Sequence, residues 1–432
     1  MKSVLVVAAM VLGLFTQMAR AELTIEITEG IDKPTAIAVV PFSWAGGFGL
    51  EAEPAAVIGN DLARSGLFAV MNPANMLSTP SSSQNVSYRD WRLGGQEYVL
   101  VGQARPRGAD AVEIDYELLD VYGESVIYSG KVASSRQGIR DAAHSIADIV
   151  YEQLTGLRGA FRTRLLYVSV NKQVDGSRQY NLFYSDSDGE RATSILSSKE
   201  PILSPSWSKD ARRIAYVSFE NERPQIFIHD LATGQRQRLA SFPGLNGAPA
   251  WSPDGTKLAL VLSKDGNPEI YIFDMVARSL TRMTHHYGID TEPAWAADGQ
   301  SIIFTSDRGG QPQIYRLSFQ SRQIERLTFE GNYNARASLT DDGRFLAMVH
   351  RGADNEFRIA VQDLKTGRLD ILTRTMLDES PTISPNGSMI LYATQVGERG
   401  VLAGVTLDGG IKFLLPSTSG DVREPAWSPY LQ

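Results

Sequence analysis

The sequence predicts an α/β N-terminal domain followed by an all-β, six-bladed propeller. Two observations indicate the propeller: a short phrase that recurs every 44 residues, and four β-like segments within each interval. A third observation indicates the first domain, because residues 22–156 lack the phrase and contain two stretches with the spacing of amphipathic helices. A chain of 432 residues is long enough for both domains.

The recurring phrase has a large apolar residue at its centre and a small residue on either side. A period of about 40–45 residues is typical of a propeller blade. Because strand side chains alternate between faces, the large residue should pack between blades and its small neighbours should crowd the central axis. The six central positions are Trp207, Trp251, Trp295, Leu339, Ile383 and Trp427.

Each interval divides into four β-like segments separated by Gly, Pro, Asp and Asn, which favour turns. In the second interval these segments are 248–252, 257–263, 269–275 and 280–284. Four such strands joined by tight turns form one antiparallel blade.

Ring closure is predicted from the two ends of the repeat region, 164–432. Residues 165–196 contain outer strands without a preceding phrase, whereas the last phrase, within 425–432, has no blade after it. We therefore expect residues 426–428 to be the inner strand of the blade whose outer strands come from 165–196. Mixing both ends in one blade removes exposed sheet edges.

Residues 1–21 have the features of a cleavable signal peptide. Lys2 supplies the positive charge, residues 4–15 are apolar, and the small-x-small pattern around Arg20 predicts cleavage after Ala21. This apolar stretch is too short for a membrane span, which needs about 20 residues. We expect an exported protein that does not insert into a membrane by itself.

Residues 22–156 alternate between strand-like and helix-like segments. The predicted strands are 23–27, 36–40, 68–71, 97–101, 111–119 and 125–129. The predicted helices are 139–154 and 54–65, the latter with Ala55, Ala56, Ile58, Leu62 and Ala63 on its inner side. Residues 157–163 are the expected linker to the propeller.

The twelve residues after the cleavage site fit two interpretations. They form either an ordinary edge strand or an arm that exchanges between docked and free states, since the ends of domains are poorly ordered unless tied down. They are Glu22, Leu23, Thr24, Ile25, Glu26, Ile27, Thr28, Glu29, Gly30, Ile31, Asp32 and Lys33.

The sequence contains no strong catalytic or cofactor motif. Without cysteine it cannot form disulfides, thiolate metal sites or cysteine nucleophiles. It lacks a G-x-S-x-G elbow and a Walker loop, and the glycine-rich segment 47–52 lacks the acidic partner that a dinucleotide ribose needs. Its histidines lack metal-ligand spacing. We expect a non-enzymatic monomer without cofactor or metal; calcium bound by acidic oxygens near the axis is an alternative that the sequence leaves open.

A net charge of −7 provides no basic face for nucleic acid. Between repeats, residues differ most in charge and size just before each inner strand. These residues should ring one mouth of the channel. Binding groups often sit on loops held by a rigid frame, and solvated caps without a ligand are the alternative. Acidic residues outnumber basic ones, so a ligand presenting Lys, Arg or backbone donors would suit this ring. The candidates are Leu203, Leu245, Asn246, Asp290, Thr291, Glu292, Asn334, Arg336, Asp378, Glu379, Arg423 and Glu424.

The chain resembles the TolB family, the periplasmic propeller proteins of the Tol-Pal system of Gram-negative bacteria. The resemblance spans nearly the whole chain. It is carried by Val39-Val40-Pro41-Phe42, Leu154-Thr155-Gly156, Gly159-Ala160-Phe161-Arg162-Thr163, Asn246-Gly247-Ala248-Pro249, Thr291-Glu292-Pro293 and Pro425-Ala426-Trp427-Ser428-Pro429-Tyr430-Leu431.

This resemblance implies a non-enzymatic adaptor in the periplasm. It implies that the lipoprotein Pal binds at the propeller mouth, where Thr291 and Glu292 match the family's contact motif, and that TolA binds residues 22–33. It further implies a role in outer-membrane integrity and in constriction during cell division. Bacteriocins and other outer-membrane lipoproteins are additional candidate partners. Leu245 stands where relatives can carry a histidine.

Two other functions fit parts of the pattern. A secreted propeller hydrolase or lactonase would need acid, base or metal-binding groups at the axis, where the sequence has Ser, Ala and Thr. A scaffold that binds peptidoglycan directly would sediment with cell-wall sacculi in the absence of Pal.

Overall fold

The computed structural model describes residues 24–27, 34–416 and 420–431. The signal peptide with its cleavage site, and arm residues 22, 23 and 28–33, lie outside the described residues. The described chain forms an α/β domain followed by a six-bladed propeller, as the sequence predicts. None of the helices in these ranges combines the length and apolar character that crossing a membrane requires.

The first part of the chain contains seven strands and three α-helices within the described ranges. Single 3₁₀ turns lie at Pro73–Asn75, Ser83–Asn85 and Arg136–Gly138. The other elements are β1 (Thr24–Ile27), β2 (Thr35–Val39), β3 (Ser43–Trp44), α1 (Pro54–Arg64), β4 (Phe68–Val70), α2 (Tyr88–Leu93), β5 (Tyr98–Pro106), β6 (Ala111–Asp120), β7 (Ser125–Ser135) and α3 (Ile139–Thr155).

The N-terminal domain is one sheet with helices on both faces. Its strand order is β4-β2-β5-β6-β7, with β3 beside β5, and β2 runs parallel to both of its neighbours. Because strand residues alternate between faces, Ile37 and Leu100 pack with α1 and α3, whereas Val40 and Val99 pack with Trp91 of α2. Helix α2 was not predicted, since its six residues are too few to display a helical period.

Helix α1 begins where the Glu53 carboxylate accepts a hydrogen bond of 2.6 Å from the Ala56 N–H, with Pro54 in the first turn. The predicted inner side of this helix is partly wrong. Ala56 is exposed, whereas Asp61 and Arg64 are fully buried. These two charges are buried because they pair with each other and with the second domain, which helical spacing cannot reveal.

The propeller strands follow in chain order. They are β8 (Arg164–Lys172), β9 (Arg178–Asp186), β10 (Thr193–Ser198), β11 (Ile202–Trp207), β12 (Arg213–Ser218), β13 (Gln225–Asp230), β14 (Arg236–Ala240), β15 (Asn246–Trp251), β16 (Lys257–Leu262), β17 (Glu269–Asp274), β18 (Ser279–Arg282), β19 (Asp290–Trp295), β20 (Ser301–Ser306), β21 (Gln313–Ser318), β22 (Ile324–Arg326), β23 (Tyr333–Leu339), β24 (Phe345–Arg351), β25 (Phe357–Asp363), β26 (Leu369–Ile371), β27 (Glu379–Ile383), β28 (Met389–Val396), β29 (Arg399–Thr406), β30 (Ile411–Leu414) and β31 (Asp421–Trp427).

Blades one to five are β11–β14, β15–β18, β19–β22, β23–β26 and β27–β30. The sixth blade is the composite that the sequence predicts, since β31 pairs antiparallel with β8 in the order β10-β9-β8-β31. Indole N–H groups tie neighbouring inner strands together. Trp207 donates to the Ala426 carbonyl and Trp295 to the Ala250 carbonyl, each at 3.0 Å. At these two positions the repeated tryptophan packs between blades and also links their backbones, whereas the Trp427 indole donates to the Thr163 hydroxyl.

Strand β1 is present, but it extends a propeller blade and not the N-terminal sheet. It pairs antiparallel with β30, from Thr24 opposite Leu414 to Ile27 opposite Ile411. The fifth blade thereby gains a fifth strand. An outermost blade strand leaves a row of backbone N–H and C=O groups unpaired, and β1 covers this row on β30.

The segment between the domains is packed. Phe161 is buried, and its N–H donates to the Asp148 carboxylate at 2.7 Å. The N–H of Arg162 reaches the same carboxylate at 3.2 Å. The predicted linker is thus anchored to α3, so the two domains are joined closely at this point.

Candidate functional site

All six inner strands begin at the propeller face that lies away from the N-terminal domain. That domain contacts the opposite face: Arg64 donates to the Ser187 carbonyl in the turn after β9, at 2.7 Å, and Asn386, in the turn after β27, donates to the Arg158 carbonyl at 3.0 Å. The face where the inner strands begin is called here the mouth face.

Each inner strand opens with the same backbone irregularity. Its pairing with the second strand of the blade shifts register within the first three residues, and one residue there adopts a positive φ. A bulge of this kind re-aims a side chain, here toward the central channel. The six positive-φ residues, called here the axial residues, are Ser204 (φ 50°), Ala248 (43°), Glu292 (53°), Arg336 (52°), Ser380 (56°) and Glu424 (56°).

None of the six axial residues is glycine, so each carries a conformational cost. Non-glycine residues in the left-handed region cost on the order of 1 kcal/mol each, and this strain recurs at 44-residue intervals around one channel. The axial residues and the residues that follow them line a cleft of about 180 Å³ at the channel mouth. Five of the following residues are prolines: Pro205, Pro249, Pro293, Pro381 and Pro425.

Arg336 links four blades across this cleft. Its guanidinium contacts Glu424 through two hydrogen bonds of 3.0 Å and Glu292 through one of 3.0 Å, and it also donates to the Ser380 hydroxyl. Glu292 further accepts from the Arg336 N–H at 2.9 Å and from the Thr305 hydroxyl at 2.8 Å. We call Arg336, Glu292, Glu424, Ser380 and Thr305 the axial network.

The axial network carries an excess of negative charge, since one arginine faces two glutamates. Burial opposes the charge on Arg336, but the carboxylates of Glu424 and Glu292 raise its pKa above the usual arginine value. The side chains remain partly accessible from the mouth face: Arg336 is 29% exposed, Glu292 25% and Glu424 12%. An incoming ligand can therefore reach both the cation and its acidic partners.

The twelve residues predicted for the mouth divide into two groups. Leu245, Glu379 and Arg423 are exposed, and Leu203, Thr291, Glu292, Arg336 and Glu424 are half-buried. Two members of the buried group bond within the loops that connect blades: the Asn246 amide donates to the Phe242 and Gly244 carbonyls, and Asp378 accepts from the Thr373 and Thr375 hydroxyls. The other two reach beyond those loops, since Asn334 donates to Gln313 and Asp290 accepts from Arg308. The buried members are Asn246, Asp290, Asn334 and Asp378.

Sequence reasoning missed an apolar component of the mouth face. The loops that lead from one blade to the next inner strand expose several large apolar side chains, although exposed apolar residues are usually scattered singly. A search for large apolar residues within those loops would have found them, because the 44-residue offset locates every loop. Together with Leu245 they are Tyr287, Ile289, Phe329, Met376 and Leu377.

A second charged group lies between the domains. We call it the junction cluster; it comprises Asp61, Arg64, Arg140, Asp141, His144, Arg164, Asp186, Asp188 and Arg191. Helices α1 and α3 supply one side and the composite blade the other. Burial alone would lower the pKa of His144, yet Asp61, Asp186 and Asp188 raise it to about 10.

Three members of the junction cluster, Asp61, His144 and Asp188, bring ligand atoms within 4.8 Å of one another. Arg64 already contacts Asp61 at 2.9 Å, and Arg140 contacts Asp188. Arginine guanidinium groups therefore balance the charge of these carboxylates. We assign the cluster to holding the domains together.

Comparison with known proteins identifies the family. The model of the TolB amino-terminal domain matches residues 23–127, and that of the TolB beta propeller domain matches residues 151–431. The chain is 56% identical over 434 residues to the Tol-Pal system protein TolB of Pseudomonas aeruginosa, covering 100% of both chains. It is 56% identical over 415 residues to that of Pseudomonas fluorescens Pf-5, covering 96% of this chain and 95% of the relative.

A solved structure agrees with both the fold and the family. The crystal structure of TolB from Acinetobacter baumannii superposes with a TM-score of 0.86 at 44% identity, covering 94% of this chain and 100% of that one. The chain therefore belongs to the TolB family, which is non-catalytic and whose members are periplasmic components of the Tol-Pal system.

Proposed function

We propose that the chain is a periplasmic adaptor that binds Pal at the mouth face and TolA through its mature N-terminus, residues 22–33. Through these two contacts it would support outer-membrane integrity and constriction during cell division. The observation that carries the proposal is the mouth face itself: strained axial residues, a charged network and exposed apolar loops meet on the one propeller face that the N-terminal domain leaves open.

The chemistry of the mouth face favours a folded protein over a small substrate. Protein interfaces combine apolar and aromatic anchors with a polar rim, and here aromatic and aliphatic loop residues surround a polar centre. The axial excess of negative charge suits Lys, Arg or backbone N–H groups of Pal. Complementary charge of this kind contributes specificity and association rate.

Glu292 is the residue on which we base the test. It accepts bonds from Arg336 and Thr305, so it is already oriented toward the channel before any partner arrives. We expect Glu292→Gln to weaken Pal binding at least tenfold, equivalent to about 1.4 kcal/mol. Glu325→Gln is the control, because Glu325 lies on the outer strand β22 and is 62% exposed. Pal affinity within twofold of the wild type would remove Glu292 from the proposed contact.

The arm forms the second part of the proposal. The described part of the arm, β1, is held to the fifth blade by one short antiparallel pairing with β30. Four residues pairing on one side form a small contact, which supports exchange between docked and free states. A mature protein that lacks residues 22–33 should lose TolA and retain Pal in a pull-down from envelope extract. Loss of both partners, or of neither, would contradict the proposal that the arm is the TolA-binding segment.

A further inference from the structure

Two buried carboxylates lie at the junction of the second and third blades, both beside the Thr284 hydroxyl. Glu269 begins β17 and Asp290 begins β19, and both are 0% exposed. Glu269 is well supplied with donors: its oxygens accept from the Thr284 hydroxyl at 2.6 Å, the His286 N–H at 2.7 Å and the Arg282 guanidinium at 2.8 Å. The Glu269 carboxylate is therefore stabilised as an anion.

The Asp290 carboxyl has fewer hydrogen-bond donors than the Glu269 carboxylate. Its Oδ2 accepts from Arg308 at 2.7 Å, whereas its Oδ1 is buried and has no hydrogen-bond partner of acceptable geometry among the described residues. The hydroxyls of Thr284 and Ser306 lie beside this carboxyl, and Ser306, whose oxygen accepts from Arg308, can direct its hydrogen to one Asp290 oxygen. A hydroxyl has a single hydrogen, and Thr284 directs its hydrogen to Glu269. Toward Asp290 the Thr284 oxygen can only accept, and a carboxylate cannot donate to it.

The two neighbouring blade junctions have amides at these two positions. One blade further on, the equivalent pair is Gln313 and Asn334, and the Asn334 amide donates to the Gln313 side-chain oxygen at 2.8 Å. Thr328, equivalent to Thr284, donates to the same oxygen at 2.7 Å. One blade earlier the pair is again two amides, Gln225 and Asn246. The second-to-third junction thus has an acid in both places where its neighbours have an amide.

The amide-to-acid replacement removes a donor. The Asn334 NH₂ group supplies a hydrogen to its Gln partner, and an ionised Asp290 has no hydrogen to offer. A protonated Asp290 would restore that donor, because an acid O–H can bond where the amide N–H does. Keeping a buried carboxylate ionised while one of its oxygens lacks a donor is costly, so a buried acid commonly takes up a proton instead.

We propose that Asp290 and Glu269 form a proton-binding site, in which Asp290 keeps its proton and donates it toward Thr284 and Glu269. The site is specific to one of the blade junctions, and Asp290 directly precedes Thr291 and Glu292 of the mouth. Losing the proton would bring like charges together beneath the loop 284–289 and loosen that part of the mouth face. The proposal does not depend on binding Pal.

The charged groups around the pair include one arginine for each carboxylate. Arg282 and Arg308 each contact one carboxylate and are partly exposed, while His286 contributes only its backbone N–H to Glu269. Asp307 accepts from the Ile289 N–H at 2.7 Å, and Asp265 is paired with Lys264 and Tyr271. Burial raises the pKa of Asp290 despite Ser306 and Arg308, whereas Thr284, His286 and Arg282 together outweigh burial and lower the pKa of Glu269.

The direct test is the titration of side-chain carboxyl resonances in mature protein with ¹³C-labelled aspartate. We expect a resonance that titrates well above the usual aspartate range and is absent from Asp290→Asn. Burial also raises the pKa of Asp148, to about 6, so Asp148→Asn identifies that signal separately. Asp378→Asn, at the equivalent position two blades on, is the control and should leave the raised Asp290 resonance in place. An Asp290 resonance that is ionised at all pH values above 5 would overturn the proposal.

Stability supplies a second readout. A raised pKa in the folded state makes the unfolding free energy fall as pH rises from the unfolded to the folded pKa. Asp290→Asn should abolish this fall, because it places an amide where the next junction has Asn334. The double variant Glu269→Gln, Asp290→Asn should show the same pH dependence of the unfolding free energy as Asp290→Asn alone. An unchanged pH slope in Asp290→Asn contradicts the proposal. Failure of the wild-type protein to bind Pal, with its stability still falling as pH rises, would contradict the proposed function and leave the proton-binding site standing.

Discussion

The junction cluster and the axial network differ in the solvent exposure of their central charged side chains. This difference distinguishes an interface within the molecule from a surface that is open to partners. In the junction cluster, Asp61 and Arg64 are 0% exposed and His144 is 1% exposed, with partners contributed by both domains. In the axial network, the three charged side chains remain between 12% and 29% exposed, and all come from inner-strand bulges. The centre of the junction cluster is thus closed off by protein, although its outer members Asp141, Arg164 and Arg191 are between 20% and 33% exposed; the axial network faces the channel mouth.

This difference predicts different energetic consequences. Removing one partner of a buried pair leaves an uncompensated charge away from water, which costs about 3–5 kcal/mol. Partly exposed charges can be rehydrated, so the same change there costs much less. The junction cluster is thus suited to fixing domain geometry, and the axial network is suited to exchanging partners.

The largest effect should come from a change that disrupts both regions. Deleting residues 424–432 removes Glu424 from the axial network, Trp427 from its hydrogen bond to Thr163 between the domains, and the end of the inner strand of the composite blade. Losing one buried tryptophan alone costs about 3–5 kcal/mol, so we expect no cooperative native melting transition. Calorimetry of the truncated mature protein measures this, and melting at the wild-type temperature would refute closure by the last strand.

Arg64→Ala tests the junction cluster alone. It leaves Asp61 buried and removes the bonds to the Ser187 carbonyl and hydroxyl. We expect a loss of about 3–5 kcal/mol in the unfolding free energy from chemical denaturation. Arg92→Ala is the matched control, because Arg92 pairs with Glu124 at 37% exposure and should cost less than about 1 kcal/mol. Equal losses in the two variants would show that burial of the junction cluster does not set its contribution.

His144→Gln tests the pH dependence of the same cluster. The folded-state pKa of His144, about 10, lies above its ordinary value of 6.5, so its stabilising effect is complete below pH 6.5 and is lost as pH rises through 10. Between pH 7 and pH 9 the wild type should lose on the order of 2 kcal/mol more than the variant, since one pKa unit corresponds to about 1.4 kcal/mol. Parallel stability curves for the two proteins would mean that His144 is neutral in the folded state.

Arg336→Ala should have the smallest effect on stability. The change leaves Glu292 and Glu424 without their shared cation, but both carboxylates can be hydrated from the mouth face. We expect a loss of about 1 kcal/mol, diminished by added salt, as measured by denaturation at two ionic strengths. A loss as large as that of Arg64→Ala would show that the channel is closed to water and would remove the contrast between the two networks.

Much of the fold could be predicted because the repeat is local. The phrase around Trp251, with a turn after it and three further β-like segments, recurs often enough that spacing alone identifies the blades. The composite sixth blade could also be inferred, since an inner strand without a blade and a blade without an inner strand complement each other. The N-terminal elements were predicted less well: α2 is too short to show a period, and the inner face of α1 includes charges.

The candidate site could be located from sequence, although its chemistry could not. The 44-residue offset identified the residues near the mouth, yet neither the left-handed bulges nor the burial of Asn246, Asp290, Asn334 and Asp378 follows from residue type. Glu292 and Arg336 were both candidates, but their pairing, and that of Arg336 with Glu424 two blades away, depends on how the bulges aim side chains across the channel.

The sequence by itself determined the repeat, the number of blades and the closure by the last strand, because these depend on short-range periodicity and on pairing rules that hold for any strand. Only the tertiary structure decided which charges meet, which are buried, and that β1 joins the fifth blade. Those outcomes arise from contacts between residues far apart in the chain, where the energy of a charge is set by its surroundings and not by its own identity.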